Sequence, residues 1–171
     1  RIVCSADCYH GTAKQLREIL PQWGVRAEFV DTTDLGAVER ALEPGASLLW
    51  VETPSNPLLR ISDLAALAEL AHARGALLGC DNTFASPVLQ QPFAHGADLV
   101  MHSSTKYLGG HSDVLGGIVV VRETGPVLAR LREFQYAGGG VPAPIDCWLL
   151  PRGLATLPLR VRAQSANAAA V

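Results

Sequence analysis

The sequence predicts an α/β chain built on a mostly parallel sheet. Strand-length apolar runs alternate with segments whose apolar residues recur every three or four positions, the signature of helices packed across a parallel sheet. Chemistry-bearing side chains fall just past the ends of those runs, where open α/β sheets place their ligands. Of 171 residues, 49% are hydrophobic and 18% charged, which is enough apolar material to bury a core and excludes a disordered chain.

In chain order, the strand expectations are Ile2 to Ser5, Val25 to Val30, Ser47 to Glu52, Ala76 to Cys80, Asp98 to Met101 and Ile118 to Val121. Between them, Gly11 to Leu20, Leu35 to Leu42 and Ser62 to Arg74 carry helical spacing, with Asp34 and Asp63 placed to cap the second and third. Beyond Val121 the pattern turns helical. Pro126 to Tyr136 reads as one helix, Gly138-Gly-Gly140 as a hinge-like loop, and Ile145 to Val171 as a long segment bent or broken at Pro151 and Pro158. No repeat, low-complexity tract or second-domain linker interrupts this order.

A formal charge of −2 and a pI near 6.2, without a Lys/Arg cluster, argue against nucleic acid and anionic membranes as partners. No apolar run approaches the ~20 residues of a membrane helix, and no charged-then-apolar leader opens the chain, so a cytoplasmic location is expected. Cys4, Cys8, Cys80 and Cys147 are too sparse for a disulfide scaffold and are expected to be reduced and mostly buried. His102, His111 and Asp113 are zinc-ligand types, but a glycine-containing loop separates the first from the others and no further cluster completes a site, so no metal is expected.

Two strand ends carry a complementary pair. Lys106 lies in Met101-His-Ser-Ser-Thr-Lys-Tyr-Leu-Gly-Gly-His-Ser-Asp113 after one run, and Asp81-Asn-Thr83 follows another that could lie beside it. A buried lysine tethers pyridoxal phosphate (PLP) as a Schiff base, and an aspartate facing the pyridine nitrogen keeps it protonated so that the ring accepts electrons. The hydroxyls of Ser103 and Thr105 and the backbone near Gly109-Gly110 are suited to a phosphate. Each residue also has a plain structural reading: a solvated loop lysine, a turn-capping Asp81, a loop-stapling Tyr9 and an ordinary turn Asn56 between prolines.

The motifs run in a recognisable order. Asp7-Cys-Tyr-His-Gly-Thr12, Val51-Glu-Thr-Pro-Ser-Asn-Pro-Leu58, Asp81-Asn-Thr-Phe-Ala-Ser-Pro87, His102 to Asp113, and Pro144-Ile-Asp-Cys-Trp148 with Arg152-Gly-Leu-Ala-Thr-Leu157 together resemble the Cys/Met-metabolism family of PLP enzymes. That family holds cystathionine γ-synthases and lyases, O-acylhomoserine sulfhydrylases and methionine γ-lyase. The resemblance implies a fold-type I PLP-dependent transferase large domain. In it, Lys106 is tether and proton carrier, Asp81 faces the pyridine nitrogen, and Thr83 packs against the ring. Ser103 and Thr105 hold the phosphate, Tyr9 stacks on the ring and serves as an acid/base, and Asn56 faces the cofactor hydroxyl and the substrate carboxylate. The implied activity is γ-replacement or γ-elimination on homoserine- or cysteine-derived amino acids, as in a cystathionine γ-synthase or γ-lyase, with O-acylhomoserine sulfhydrylase and cystathionine β-lyase as alternatives. The segment Val141 to Leu157 most resembles the first two.

By the same resemblance, residues 1 to 171 correspond to a PLP-binding large-domain core truncated at both ends, with 145 to 171 leading toward a C-terminal domain that is absent. Its partners are small amino-acid substrates and copies of itself, a homotetramer, and the chain alone is expected to bind PLP weakly. Three departures bear on this: His10 stands where the family usually has glycine, Ala143 where γ-lyase-like members have serine, and Gly11 where methionine γ-lyase has cysteine. A rival of another class is a non-catalytic remnant that keeps the sheet as a binding module.

Overall fold

A computed structural model describes all residues from Arg1 to Val171. Its six strands are β1 (Ile2–Ser5), β2 (Ala27–Val30), β3 (Leu48–Glu52), β4 (Leu77–Asp81), β5 (Leu99–Ser103) and β6 (Gly117–Val121). They form one sheet in the order β2-β1-β3-β4-β5-β6, in which the first five are parallel and β6 runs antiparallel to β5. After β2 the order reverses, because β3 returns to the other side of β1; β1 and β3 therefore flank a topological switch point.

The helices are α1 (His10–Lys14), α2 (Leu35–Leu42), α3 (Leu64–Ala73), α4 (Ser86–Leu89), α5 (Pro126–Gly138) and α6 (Pro144–Ala170). Asp34 and Asp63 cap α2 and α3 as their positions imply, accepting the N–H of Ala37 at 3.0 Å and those of Ala65 and Ala66 at 3.1 Å. Asp63→Ala should cost about 1 kcal/mol, the usual worth of such a cap. A thermal melt of the folded chain checks it.

Helices α2 and α3 cover one face of the sheet. Val3, Leu49, Val51, Leu78, Cys80 and Val100 meet Val38, Leu42, Leu67 and Ala71 there in the main core. On the opposite face α1 and the turns after it bring Ala13 and Leu16 to Cys4 and Cys8, with Trp50 and Phe29 beside them. Gly79 is required at its position in β4, since a Cβ would come within 2.7 Å of the Trp50 ring from the neighbouring strand. The cysteines are unpaired, three buried and Cys147 exposed.

Several boundaries differ from expectation for local reasons. The first helical pattern covers α1, then a wider π-turn at Gln15–Ile19 and a tight 3-10 turn at Leu20–Trp23. Gly24, at φ +78°, ends it and sends Val25 N–H to Leu20 O, so β2 starts at Ala27 rather than Val25. The segment from Ile145 is not broken: α6 runs through Pro151 and Pro158 to Ala170. Each proline removes one bond to a carbonyl four residues back, but Cys147 and Leu154, which own those carbonyls, are exposed and water can serve them. No helix is long and apolar enough to cross a membrane.

Helix α5 buries none of its residues, and Phe134 and Tyr136 are 78% and 91% exposed. With Ile118, Val119 and Val120 of β6 also exposed, this end of the sheet presents an apolar face.

Candidate active site

Beyond the C-terminal ends of β1, β3, β4 and β5 lies a cleft of about 560 Å³. Tyr9, Asn56, Asp81, Thr83, Ser103, Thr105 and Lys106 all line it, so the seven residues assigned to the cofactor site from the sequence share one cavity. Tyr9 follows β1, Asn56 lies in the turn after β3, Asp81 closes β4 and Ser103 closes β5, each carried there by the parallel strands. Trp50 and Met101 supply apolar wall and Gly116 and Gly117 leave one side open to backbone.

Asp81 is 5% exposed, and its Oδ1 accepts the Thr83 N–H at 3.0 Å. It is thus both turn cap and cleft acid, and Oδ2 is left for a donor in the cavity. Burial raises its pKa above the ordinary aspartate value, against the lowering effect of Thr83. Thr83 Oγ1 in turn accepts the Ser103 N–H at 2.9 Å, pinning the end of β5 to the turn after β4.

Lys106 departs from the burial that its expected role implies. It is exposed at the cleft edge and enters no ion pair. The turn is a wide π-type loop, Ser104–Leu108, closed by Gly109 N–H to Ser104 O at 2.9 Å, with Lys106 itself at φ −96°, ψ −124°. Thr105 also differs in detail: its hydroxyl accepts the Gly116 N–H at 2.9 Å and donates to Gly116 O at 3.3 Å. To donate to a phosphate it must release that carbonyl, whereas the Ser103 hydroxyl is engaged by no such bond.

Tyr9 is 46% exposed and packs edge-on against His10, ring centroids 4.6 Å apart. His10 lies outside the cleft wall and faces solvent. Ala143 is an exposed residue preceding α6. His102 points to the sheet face opposite Met101 and Ser103, near enough to feel the Asp81 charge; burial nevertheless lowers its pKa, and its Nδ1 has no partner. No three His, Cys, Asp or Glu side chains converge as a metal site would require.

Glu52 is the titratable cleft residue that was not singled out from the sequence. Glu52 ends β3 in register with Asp81 on β4, is 6% exposed, and takes the Tyr9 N–H on Oε2 at 2.6 Å. Its only sequence signal is its place before Thr53-Pro54. Ser55 Oγ donates to Asp7 as a second stitch between the loops after β1 and β3. Burial, with Asp81 and Asp7 nearby, pushes Glu52 up to about 7 against hydrogen bonds from Tyr9 and Asn56. A carboxyl whose pKa is raised on folding binds its proton more tightly in the folded state, so its contribution to stability is full below pH 4.5 and lost as pH rises through about 7. Glu52→Gln should therefore flatten the fall in stability across that window, by on the order of 3 kcal/mol at its upper end. Denaturant titrations at several pH values measure it.

The donor set fits PLP. A buried acid with one free oxygen suits a cationic ring nitrogen, Tyr9 offers a ring face, and serine and threonine hydroxyls lie near a primary amine, all around one cavity of aromatic dimensions. Six strands, five of them parallel, with the cleft at the switch point, define a fold-type I PLP-dependent enzyme core. The model of the Cys/Met metabolism PLP-dependent enzyme family matches residues 1–171, and the chain belongs to that family.

Among relatives, the probable cystathionine gamma-synthase of Herpetosiphon aurantiacus is 42% identical over 170 residues, 99% of this chain and 53% of that protein. The cystathionine gamma-lyase of Bacillus subtilis (strain 168) is 47% identical over 169 residues, 98% of this chain and 44% of that protein. The crystal structure of cystathionine gamma-lyase from Lactobacillus plantarum complexed with L-serine superposes with a TM-score of 0.87 at 46% identity, covering 92% of this chain and 41% of that one. The chain thus spans about half the length of the curated relatives it matches.

Proposed function

We propose that the protein carrying this chain is a PLP-dependent transsulfuration enzyme. It acts on homoserine- or cysteine-derived amino acids by γ-replacement or γ-elimination, as a cystathionine γ-synthase or γ-lyase. The observation that carries this reading is the convergence of Lys106, Asp81, Tyr9 and Asn56 on one cleft. Its relatives include both a γ-synthase and a γ-lyase, which is why the proposal spans both reactions. O-acylhomoserine sulfhydrylase and cystathionine β-lyase rank behind them because the segment Val141 to Leu157 most resembles γ-synthases and γ-lyases.

Bound PLP supplies an electron sink for the charge left on a substrate carbon when its proton departs. Lys106 Nζ would hold the cofactor and, as a free amine, would take a proton from the substrate α carbon and return one further along the chain. Asp81 Oδ2 would hold the proton of the ring nitrogen in place, its charge favoured by that cation in a site that otherwise disfavours it. The Tyr9 phenol would cover the ring and exchange a proton with the substrate. The Asn56 amide orients a carboxylate, and the Ser103 hydroxyl, with Thr105 after it releases Gly116 O, donates to phosphate.

Within the longer protein, residues 1 to 171 form the cofactor-binding core and α6 leads on toward a further domain. We propose further that the protein is a homotetramer of the cytoplasm; the apolar face of α5 and β6 offers a surface for contact between copies.

Product analysis of the PLP-loaded enzyme tests the activity. O-succinylhomoserine with cysteine should give cystathionine and succinate if replacement dominates, and cystathionine with water should give cysteine, 2-oxobutanoate and ammonia if γ-elimination does. Homocysteine and pyruvate from cystathionine would move the assignment to a β-lyase, and turnover of neither substrate would refute it.

A further inference from the structure

We propose that Arg160 and Gly153 of α6 are positioning residues for Lys106, clamping the lysine-bearing turn so that its amine is presented at a fixed height over the cleft. The inference rests on the reading of Lys106 as the cofactor-bearing residue. Lys106 has no side-chain partner in the chain, so its location is set by its backbone alone. That backbone is held from two sides. Within the turn, Lys106 O accepts the Gly110 N–H at 2.8 Å. From outside, Arg160 Nη1 donates to Tyr107 O, the carbonyl directly after the lysine, at 2.9 Å.

The guanidinium is itself fixed. Nη2 donates to Gly153 O at 2.7 Å and Nε to Thr156 Oγ1 at 3.0 Å, so two of its donors fix it on α6 while Nη1 reaches across to the turn. A planar fork holds several acceptors in one geometry, which the single ammonium of lysine cannot. Two glycines admit this approach. A Cβ at Gly153 would lie 2.3 Å from Gly109 O and 2.5 Å from Leu108 O, and one at Gly110, whose φ is +78°, would lie 2.3 Å from Arg160 Nη1. Leu157 and Val161 complete the contact by burying Leu108 between them. The helix therefore touches the turn at residues 107 to 110 by backbone and guanidinium, immediately beyond the lysine, while contributing no donor to the cleft wall that holds Asp81 and Tyr9.

Two substitutions separate positioning from bulk stability. Arg160→Met keeps the aliphatic stem and removes all three donors; Arg160→Lys restores one. Val38→Ala, in the core under α2 and far from the turn, serves as a control that lowers stability without touching the clamp. In the cofactor-free protein, hydrogen exchange of the Gly109 and Gly110 amides should be about tenfold faster or more in Arg160→Met, because a charged hydrogen bond to the turn is lost. In Val38→Ala those amides should quicken only as much as amides elsewhere.

In the PLP-loaded enzyme, Arg160→Met should lower kcat by roughly 10-fold to 10²-fold with a smaller change in KM, as expected for a displaced reacting group, and Arg160→Lys should recover part of it. Gly153→Ala should act in the same direction; if it does not fold, Arg160→Met decides alone. Unchanged exchange at Gly109 and Gly110 would overturn the clamp. Faster exchange with wild-type kcat would overturn its role in positioning. Lys106→Ala is the separate arm: if cofactor remains covalently attached there, the reading of Lys106 fails, whatever the exchange at the turn shows.

Discussion

Lys106→Ala is expected to abolish covalent attachment of PLP and to reduce turnover by on the order of 10³-fold or more, the combined loss of tether and proton carrier. The fold should be unaffected, because the side chain is exposed and pairs with nothing in the chain. Absorbance in the visible, before and after borohydride, reports attachment, and circular dichroism reports the fold. Lys106→Arg should fail in the same way despite keeping the charge, since a guanidinium stays protonated and cannot serve as the nucleophilic amine.

The second large effect is expected at Asp81. An asparagine there keeps Oδ1 for the Thr83 N–H, so the turn after β4 and the pinning of Ser103 through Thr83 survive and the melting temperature should move little. What is lost is the charge facing the cleft. A neutral amide cannot hold a ring nitrogen protonated, and turnover should fall by on the order of 10²-fold, as when a single preorganised electrostatic partner is removed. Cofactor affinity should fall too, since the ring cation would lose its partner in a buried site. Steady-state kinetics beside PLP titration separates the two, and turnover of Asp81→Asn within twofold of wild type would remove Asp81 from the account.

Much of the fold was legible because local signals and the global arrangement agree. Asp34 and Asp63 announce the starts of α2 and α3 through chemistry confined to three residues, and the apolar runs of β1, β3, β4 and β5 need no partner to be recognised. The convergence of Lys106, Asp81 and Ser103 was legible too, since parallel strands bring consecutive C-terminal ends to one edge, whereas Tyr9 and Asn56 joined them through the family resemblance.

What escaped depends on register and on distant pairs. Nothing local to Glu52 shows that it stands opposite Asp81, or that the Tyr9 N–H lies 2.6 Å away. Arg160 reads as one more helical arginine until Tyr107 O, 53 positions earlier, is found against it. Pro151 and Pro158 signal a break that solvent at the opposite carbonyls makes unnecessary. The Thr105 hydroxyl looks free in sequence and is occupied by Gly116 in space. For Glu52, Arg160 and Thr105 the deciding partner is remote along the chain.

The central claim is that this cleft holds PLP through Lys106, and the chain permits a sharp test because it contains only two lysines, Lys14 and Lys106. The PLP-loaded enzyme is reduced with borohydride, digested, and its peptides are sequenced by mass spectrometry. The account predicts the reduced pyridoxyl group on the peptide carrying Ser103 to Tyr107, at Lys106. Modification at Lys14, or no modified peptide from this chain while the enzyme retains reducible cofactor, would contradict it.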